Sequence, residues 1–436
     1  MEHDEVSEEY LLNIRREKTA RELDRIRNSF SFRCGQIIAK CLRFPPLLIV
    51  LPFWLFGFCF IYGLERLGRR PAHQVHSGRS IQNPKRCMVF FPTNGVGLGH
   101  FTRLFAVAKR VREQDPDVEI VFVTTMAALH LLESEGIPSY HLPGSYMFND
   151  MTSAEWNAIT EELLATVFEI HRPSVFVFDG AFPYRGMLNA IRSRDRIEKV
   201  WVRRGMFRKG SNIPVDSIEH FTSIVRPGDS VDVDEHLKVE ISVQSHSVSP
   251  MLLMNHDEVL TKEQASGRLN LPDGSKIVYV QLGAGRINDI DSEIRLTVDA
   301  LLNHENVHVV IGESMLGDRI YFQHPRVQLL RDYPNSMYFR AFDASIQAGG
   351  YNSFHEMRTF GLPTLFYPNM NTGMDDQLAR CNIAQKEGWG LVLEERTEAS
   401  IARSVEMLLE LKVPDERPQP TNGADELATL LLEKIR

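Results

Sequence analysis

Cysteine is scarce in this chain and badly spaced. The five present among 436 residues (Cys34, Cys41, Cys59, Cys87 and Cys381) include no Cys-x-x-Cys pair and no accompanying histidine cluster. Such a set excludes a disulfide framework or a zinc site and fits reduced thiols in a cytosol-facing protein. A surplus of basic charge is missing too. The formal net charge is −8, so nothing is left over to neutralise a phosphate backbone, and a general nucleic-acid binder is excluded. There is no low-complexity run and no short internal repeat. A secretory leader is not expected, because polar and charged residues fill the chain before its first apolar run.

Long apolar runs are absent with one exception. From Phe44 to Leu64 there is no charged residue, a length just sufficient to cross ~30 Å of hydrocarbon as a helix. Lys40 and Arg43 flank one side and Arg66, Arg69 and Arg70 the other, so the positive-inside rule leaves the orientation open. With Pro45, Pro46 and Pro52 in the run, it reads either as a single span or as a kinked segment that dips into a membrane and returns. Residues 1–43 before it are polar and helix-prone. Leu12, Leu23, Ile26 and Phe30 stand at partial heptad spacing, which suits a solvated amphipathic helix or self-association of residues 8–42 as a short coiled coil. Residues 65–85, with Pro71, Gly78 and Pro84, read as a linker.

From Cys87 onward strand and helix signals alternate. Apolar runs at 87–91, 118–123, 175–178 and 199–202 read as buried strands, separated by helical patterns at 100–113, 126–135, 154–170 and 184–193. A second series follows: a strand over 276–282, a helix over 290–303, a strand over 307–311 and a last helix over 424–436. The stretch from Pro227 to Pro250 is irregular, and the boundary falls there. The expected architecture is α/β: two Rossmann-like domains, 86–248 and 249–436, facing each other across a cleft, with ligands at the carboxyl ends of their strands.

Three glycine turns lie where those ends should be. Asn94-Gly95-Val96-Gly97-Leu98-Gly99-His100 separates the first strand from its helix. A nicotinamide loop would want an acidic residue at the end of the next strand, but that strand ends in Val123-Thr124-Thr125. Gly97 and Gly99 instead let an acceptor or a phosphate approach the backbone. His100 at the helix start can then take a proton near neutral pH or serve as a structural helix terminus. The second turn, Gly283-Ala284-Gly285-Arg286, offers a guanidinium to a diphosphate. The third is Gly349-Gly350-Tyr351-Asn352-Ser353-Phe354-His355-Glu356, followed by Gly361-Leu362-Pro363 and Asp375-Asp376-Gln377. A helix start held open by glycine receives phosphates, and a carboxylate one to two turns on receives ribose hydroxyls. A downstream Asp/Gln pair suits the sugar of a nucleoside-diphosphate sugar. Asp179 ends a strand on the same side of the cleft, as a reserve base or a helix cap. The pair Arg203-Arg204 follows another strand, where it meets an anionic acceptor or lies on the surface. Asp232-Val233-Asp234 resembles a metal-binding DxD but sits in a polar stretch with no glycine turn.

Together these motifs resemble the GT-B-fold glycosyltransferases, above all the MurG-type N-acetylglucosaminyltransferases and more distantly the UDP-glucuronosyltransferases. The likeness covers roughly residues 86–436 and leaves out the apolar segment. It implies that the C-terminal half binds a UDP-sugar and the N-terminal half an acceptor. Glu356 would bind the ribose, Gly349, Gly350 and Ser353 the phosphates, and Asp376 with Gln377 the sugar; Asn352, Gly283, Gly285 and Arg286 would complete the nucleotide-sugar site. Gly97, Gly99, Arg203 and Arg204 would meet the acceptor, and His100 would face it as a base or as a phosphate ligand. The N-terminal loop carries fewer glycines than the MurG type. Retaining members of the fold often carry a second glutamate upstream of the one corresponding to Glu356; here the position is Ala348, which favours inversion. The expectation is a membrane-attached, metal-independent and cofactor-free inverting transferase. It would move sugar from a UDP-sugar to a lipid-linked or polysaccharide-related acceptor at the cytosolic face. The alternatives are an isomerase like the UDP-N-acetylglucosamine 2-epimerases and a non-catalytic sugar-nucleotide-binding subunit.

Overall fold

A computed structural model describes residues 19, 22–67, 69–70, 84–93, 97–192, 194–204, 215–230, 243–283, 290–315, 319–370, 375–413 and 421–435. After a helical stretch over 22–28 comes a helical hairpin, α1 (Phe30–Arg43) and α2 (Leu51–Arg66), joined by a 3-10 turn over Pro45–Ile49. The uncharged run therefore divides at Val50. Pro52, expected to kink a helix, sits in the first turn of one, where its missing N–H costs nothing. No helix among the described residues is long and apolar enough to cross a membrane.

The first domain is a seven-stranded parallel sheet: β1 (Lys85–Pro92), β2 (Glu119–Thr124), β3 (Ser139–His141), β4 (Pro173–Asp179), β5 (Glu198–Val202), β6 (Ser223–Pro227) and β7 (Gln244–Val248). Their order is β3-β2-β1-β4-β5-β6-β7. Helices α3 (Gly99–Gln114), α4 (His130–Glu133), α5 (Ser153–His171) and α6 (Arg185–Arg192) connect them. β1 shows why an unbroken apolar run makes a central strand. Met88 and Phe90 pack on one face of the sheet, while Cys87, Val89 and Phe91 pack on the other. Each fully buried phenylalanine of this kind contributes ~1.5–3 kcal/mol.

The second domain holds α7 (Lys262–Leu269), β8 (Lys276–Gln281), α8 (Ile290–Leu302), β9 (Val307–Gly312), β10 (Val327–Leu330), β11 (Ala344–Ala348), α9 (Tyr351–Phe360), β12 (Thr364–Tyr367), α10 (Gln377–Lys386), β13 (Gly390–Val392) and α11 (Glu398–Glu410). Its six parallel strands run β10-β9-β8-β11-β12-β13.

Three expectations change. The helix read over 126–135 shrinks to α4, because the Met126 N–H turns back to Thr124 Oγ1 at 3.0 Å and competes with a helical start. The stretch from Pro227 to Pro250 contains β7, whose sequence Gln-Ser-His-Ser-Val shows no apolar alternation; its pairing with β6 forms it. The final helix, α12 (Gly423–Lys434), was counted with the second domain and packs on the first. Ala424, Leu427, Ala428 and Leu431, at helical spacing, join the cluster of Phe90, Leu104 and Val107. The chain thus crosses between domains twice, and Asn422 stitches the crossings together. Its side chain accepts from Leu252 N at 2.9 Å and donates to Leu252 O at 3.0 Å and to Asn255 Oδ1 at 2.7 Å.

Candidate active site

Both sheets reverse their strand order once, the first between β1 and β4 and the second between β8 and β11. A crevice opens beyond the carboxyl ends of strands at such a point. The turns after β1, β8 and β11 and the end of β4 all lie at these two reversals. One cavity of about 450 Å³ joins them, lined from both domains.

On the first-domain side, Gly97, Gly99 and His100 line the cavity; residues 94–96 lie outside the described set. Asp179 ends β4, is 1% exposed and does not reach the cavity. Its Oδ1 stands 2.7 Å from His100 Nδ1. Arg103, one helical turn beyond His100, clamps the same carboxylate, with Nε 2.9 Å from Oδ2 and Nη2 2.8 Å from Oδ1. Burial alone would raise the Asp179 pKa, but Arg103 and His100 hold it below the usual range. An ionised carboxylate can only accept a hydrogen bond, so the tautomer that bonds to Asp179 carries its proton on Nδ1. The Nε2 lone pair is left without a partner among the described residues. Arg103 Nη2, which carries two N–H groups, also lies 2.8 Å from Nδ1. Burial, only partly offset by Asp179, holds the His100 pKa below its ordinary value, so the ring is neutral at pH 7. Asp179, a reserve base by sequence, therefore orients His100. Arg103 gave no sequence signal beyond its place three residues after His100.

Across the cavity, Gly283 takes φ +102°, a left-handed backbone that glycine adopts freely. Gly285 and Arg286 lie outside the described residues, as does the DxD-like Asp232–Asp234. β11 runs into Gly349 and Gly350, and α9 starts with no side-chain cap on its first turn, so its N–H groups remain for an anion. A Cβ on Gly349 would lie 2.5 Å from Cys381 Sγ, which is why that position carries none. Gly350, Asn352, Ser353 and Glu356 line the cavity. The Glu356 carboxyl meets no hydrogen-bonding partner among the described residues, and burial pushes its pKa up to about 8.

Asp375 and Gln377 also line the cavity. Asp376 does not: its carboxylate caps α10 by accepting from Ala379 N at 3.0 Å. The Asp/Gln pair that faces the cavity is thus Asp375 and Gln377. Gln377 spends its oxygen on Asn369 N at 2.9 Å. Arg204 lines the cavity, 3.5 Å from Asp375, whereas Arg203 turns away and lays its guanidinium 5.1 Å over the Trp201 ring.

A fully buried arginine joins the two halves. Arg380 on α10 donates to Asp229 (2.8 and 3.0 Å), to Asp375 (2.7 Å) and to the Gly349 carbonyl (3.0 Å). Asp229 follows β6 of the first domain. The Tyr351 ring lies beneath three guanidiniums, those of Arg103, Arg204 and Arg380, at 5.3, 5.5 and 5.9 Å. This cluster of arginines and the carboxylates paired with them stands at the start of α9, and of its members only Arg204 and Asp375 stood in a sequence motif.

No family model matches the chain. It is 22% identical over 376 residues to the UDP-N-acetylglucosamine–N-acetylmuramyl-(pentapeptide) pyrophosphoryl-undecaprenol N-acetylglucosamine transferase of Clostridioides difficile, covering 80% of this chain and 88% of that one. Solved structures share the fold. The glycotransferase of kitacinnamycin matches with TM-score 0.53 at 14% identity, over 81% of this chain and all of that one. MurG of Acinetobacter baumannii matches with TM-score 0.50 at 14% identity, over 80% of this chain and 100% of that one. The UDP-GlcNAc 2-epimerase of Methanocaldococcus jannaschii matches with TM-score 0.51 at 11% identity, over 80% and 99%. The two-lobed architecture is the GT-B fold of these structures, and in sequence the chain is similar to a MurG-type N-acetylglucosaminyltransferase.

Proposed function

We propose that this enzyme is a membrane-attached, inverting transferase that moves a sugar from a UDP-sugar to a hydroxyl of a lipid-linked or polysaccharide-related acceptor, at the cytosolic face. The observation that carries the reading is His100: an imidazole beside a buried carboxylate, on a residue that lines the same cavity as the start of α9. Nε2 takes the acceptor hydroxyl proton as the oxygen attacks the anomeric carbon. The bond from that carbon to the β-phosphate oxygen breaks, and UDP leaves with the electron pair. Attack opposite the leaving group inverts the centre. The charge that develops on the diphosphate meets the α9 N-terminus, the N–H groups of Gly349 and Gly350, Ser353, and the arginine field of Arg103 and Arg204. These donors offset the developing charge, so the scheme calls on no metal ion. Asp375 and Gln377 receive the sugar hydroxyls and Glu356 the ribose diol.

The epimerase shares the fold, and product analysis separates the readings. The purified protein, given UDP-sugars and a membrane-lipid extract, is expected to release UDP only when acceptor is present. An epimerised UDP-sugar with no UDP released would replace the transferase reading by the isomerase one.

The ribose assignment has its own pH signature. Ribose hydroxyls donate to an ionised carboxylate, so UDP binding below pH 8 must expel the Glu356 proton. Between pH 7 and 9, where the UDP phosphates are already ionised, affinity should rise about tenfold with pH. Glu356→Gln should bind weakly at every pH, with a flat profile by calorimetry. An unchanged slope in that variant would remove Glu356 from the ribose.

A further inference from the structure

The N-terminal hairpin lies outside the part of the chain that resembles transferases, and its surface is unusual. Ile49, Phe53, Phe56, Phe60 and Leu67 are between 62% and 79% exposed. They recur every three or four residues, or twice that, so they form one stripe along the outer side of α2. The inner side is closed against α1. Phe30 stacks on Phe58 at 5.3 Å, and Arg33 pairs with the buried Glu65 at 2.8 Å. The hairpin is thus a finished unit that leaves a row of large apolar side chains in water. α2 has 16 residues, ~24 Å of helix against ~30 Å of hydrocarbon, and its partner runs back beside it.

The charge pattern says what covers the stripe. No Asp or Glu stands between Asp24 and Glu65, whereas Arg25, Arg27, Arg33, Lys40 and Arg43 do; Arg25 and Arg33 pair with Glu161 and Glu65, which leaves Arg27, Lys40 and Arg43 for an anionic surface. Lys40 and Arg66 lie over the rings of Trp54 and Tyr62, at 5.7 and 5.5 Å. Cations set against Trp and Tyr beside a phenylalanine stripe match the boundary between headgroups and acyl chains, and favour anionic lipid.

We infer that residues 30–67 form a monotopic hairpin that seats the enzyme in one leaflet of an anionic bilayer through the Ile49–Phe53–Phe56–Phe60–Leu67 stripe, without crossing it. The inference deepens the membrane attachment proposed above. Vesicle binding without sugar transfer would leave the hairpin standing and remove the transferase reading; transfer without vesicle binding would do the reverse.

The test uses the full chain and vesicles of phosphatidylethanolamine with phosphatidylglycerol. The wild type should co-float with them, and the triple variant F53D/F56D/F60D should lose on the order of a hundredfold in partitioning or more. UDP affinity, which reports folding of the distant cleft, should stay unchanged. Trp54 is 40% exposed, while Trp156, Trp201 and Trp389 are at most 4% exposed, so quenching by brominated lipid reads Trp54. Bromines near the headgroup end should quench it more than bromines at the chain terminus. Undiminished flotation of the triple variant would overturn the inference. So would strongest quenching from the bilayer centre, which marks a span, or a lipid-free dimer that the three substitutions dissolve, which marks a second copy as the occupant.

Discussion

His100→Ala should lower kcat by ~10²–10⁴-fold, the usual contribution of a positioned base, with UDP affinity unchanged because the ring does not touch the nucleotide-binding turn. Single-turnover release of UDP measures the first quantity and calorimetry the second. Added imidazole should restore part of the rate by entering the space the side chain vacates. The pH profile carries further information. The base works as the neutral ring, so the acid limb of kcat should fall below the ordinary histidine value, in the direction that burial shifts this group. Asp179 opposes that shift by favouring the charged ring. Asp179→Asn should therefore move the acid limb to still lower pH while reducing the rate, because an amide no longer requires the proton on Nδ1. A merely structural Asp179 would change stability and leave the limb in place. Full turnover by His100→Ala would remove the ring from the chemistry altogether.

The second large effect is on stability. Arg380→Met leaves Asp229 and Asp375 as buried carboxylates without their common cation, and breaking such an arrangement costs ~3–5 kcal/mol. In the wild type, burial would raise both carboxyl pKa values, but the arginines, with His355 at Asp229, hold them below the usual range. Their contribution is therefore fully present above the unfolded carboxyl value and is lost as pH falls through the depressed folded one. In the variant only His355 at Asp229 and Arg204 at Asp375 still oppose burial, so both pKa values rise relative to the wild type and the groups take up protons earlier as pH falls. The penalty should be largest near pH 8 and shrink toward pH 5, as read by calorimetric melting at the two values. Arg380→Lys should recover only part of the loss, since a single ammonium cannot serve two carboxylates and the Gly349 carbonyl in the same fork. An equal melting loss at both pH values would mean that packing, not charge, is what Arg380 supplies.

Much of the two-domain fold could be read in advance because its central strands are buried on both faces and its glycine turns fall at the sheet reversals. Met88 to Phe91, Val175 to Phe178 and Val278 to Val280 leave no polar residue to suggest another assignment. The edges were harder. β7 has one apolar residue, and pairing alone makes it a strand. Around the cavity, sequence order located His100, Glu356 and Gln377, each fixed by its distance from a glycine turn. It failed where two neighbours were equally plausible. Asp375 and Asp376 differ only in which one the helix start consumes as a cap, and Arg203 and Arg204 only in which one the end of β5 turns inward. Asp229, Arg103 and Arg380 were invisible for a different reason. Each reads as an ordinary loop or helix-surface charge until the folded chain sets it against a partner far away in sequence.

The double passage of the chain between the lobes, stitched by Asn422, bears on how the enzyme could open to load and unload. A lobe hung by one strand can swivel; a lobe hung by two adjacent ones behaves like a door on a pair of pins, free to swing about the line joining them and resistant to twisting out of that plane. His100 and Glu356 would then separate and rejoin along one fixed arc, returning to register after every turnover without a search.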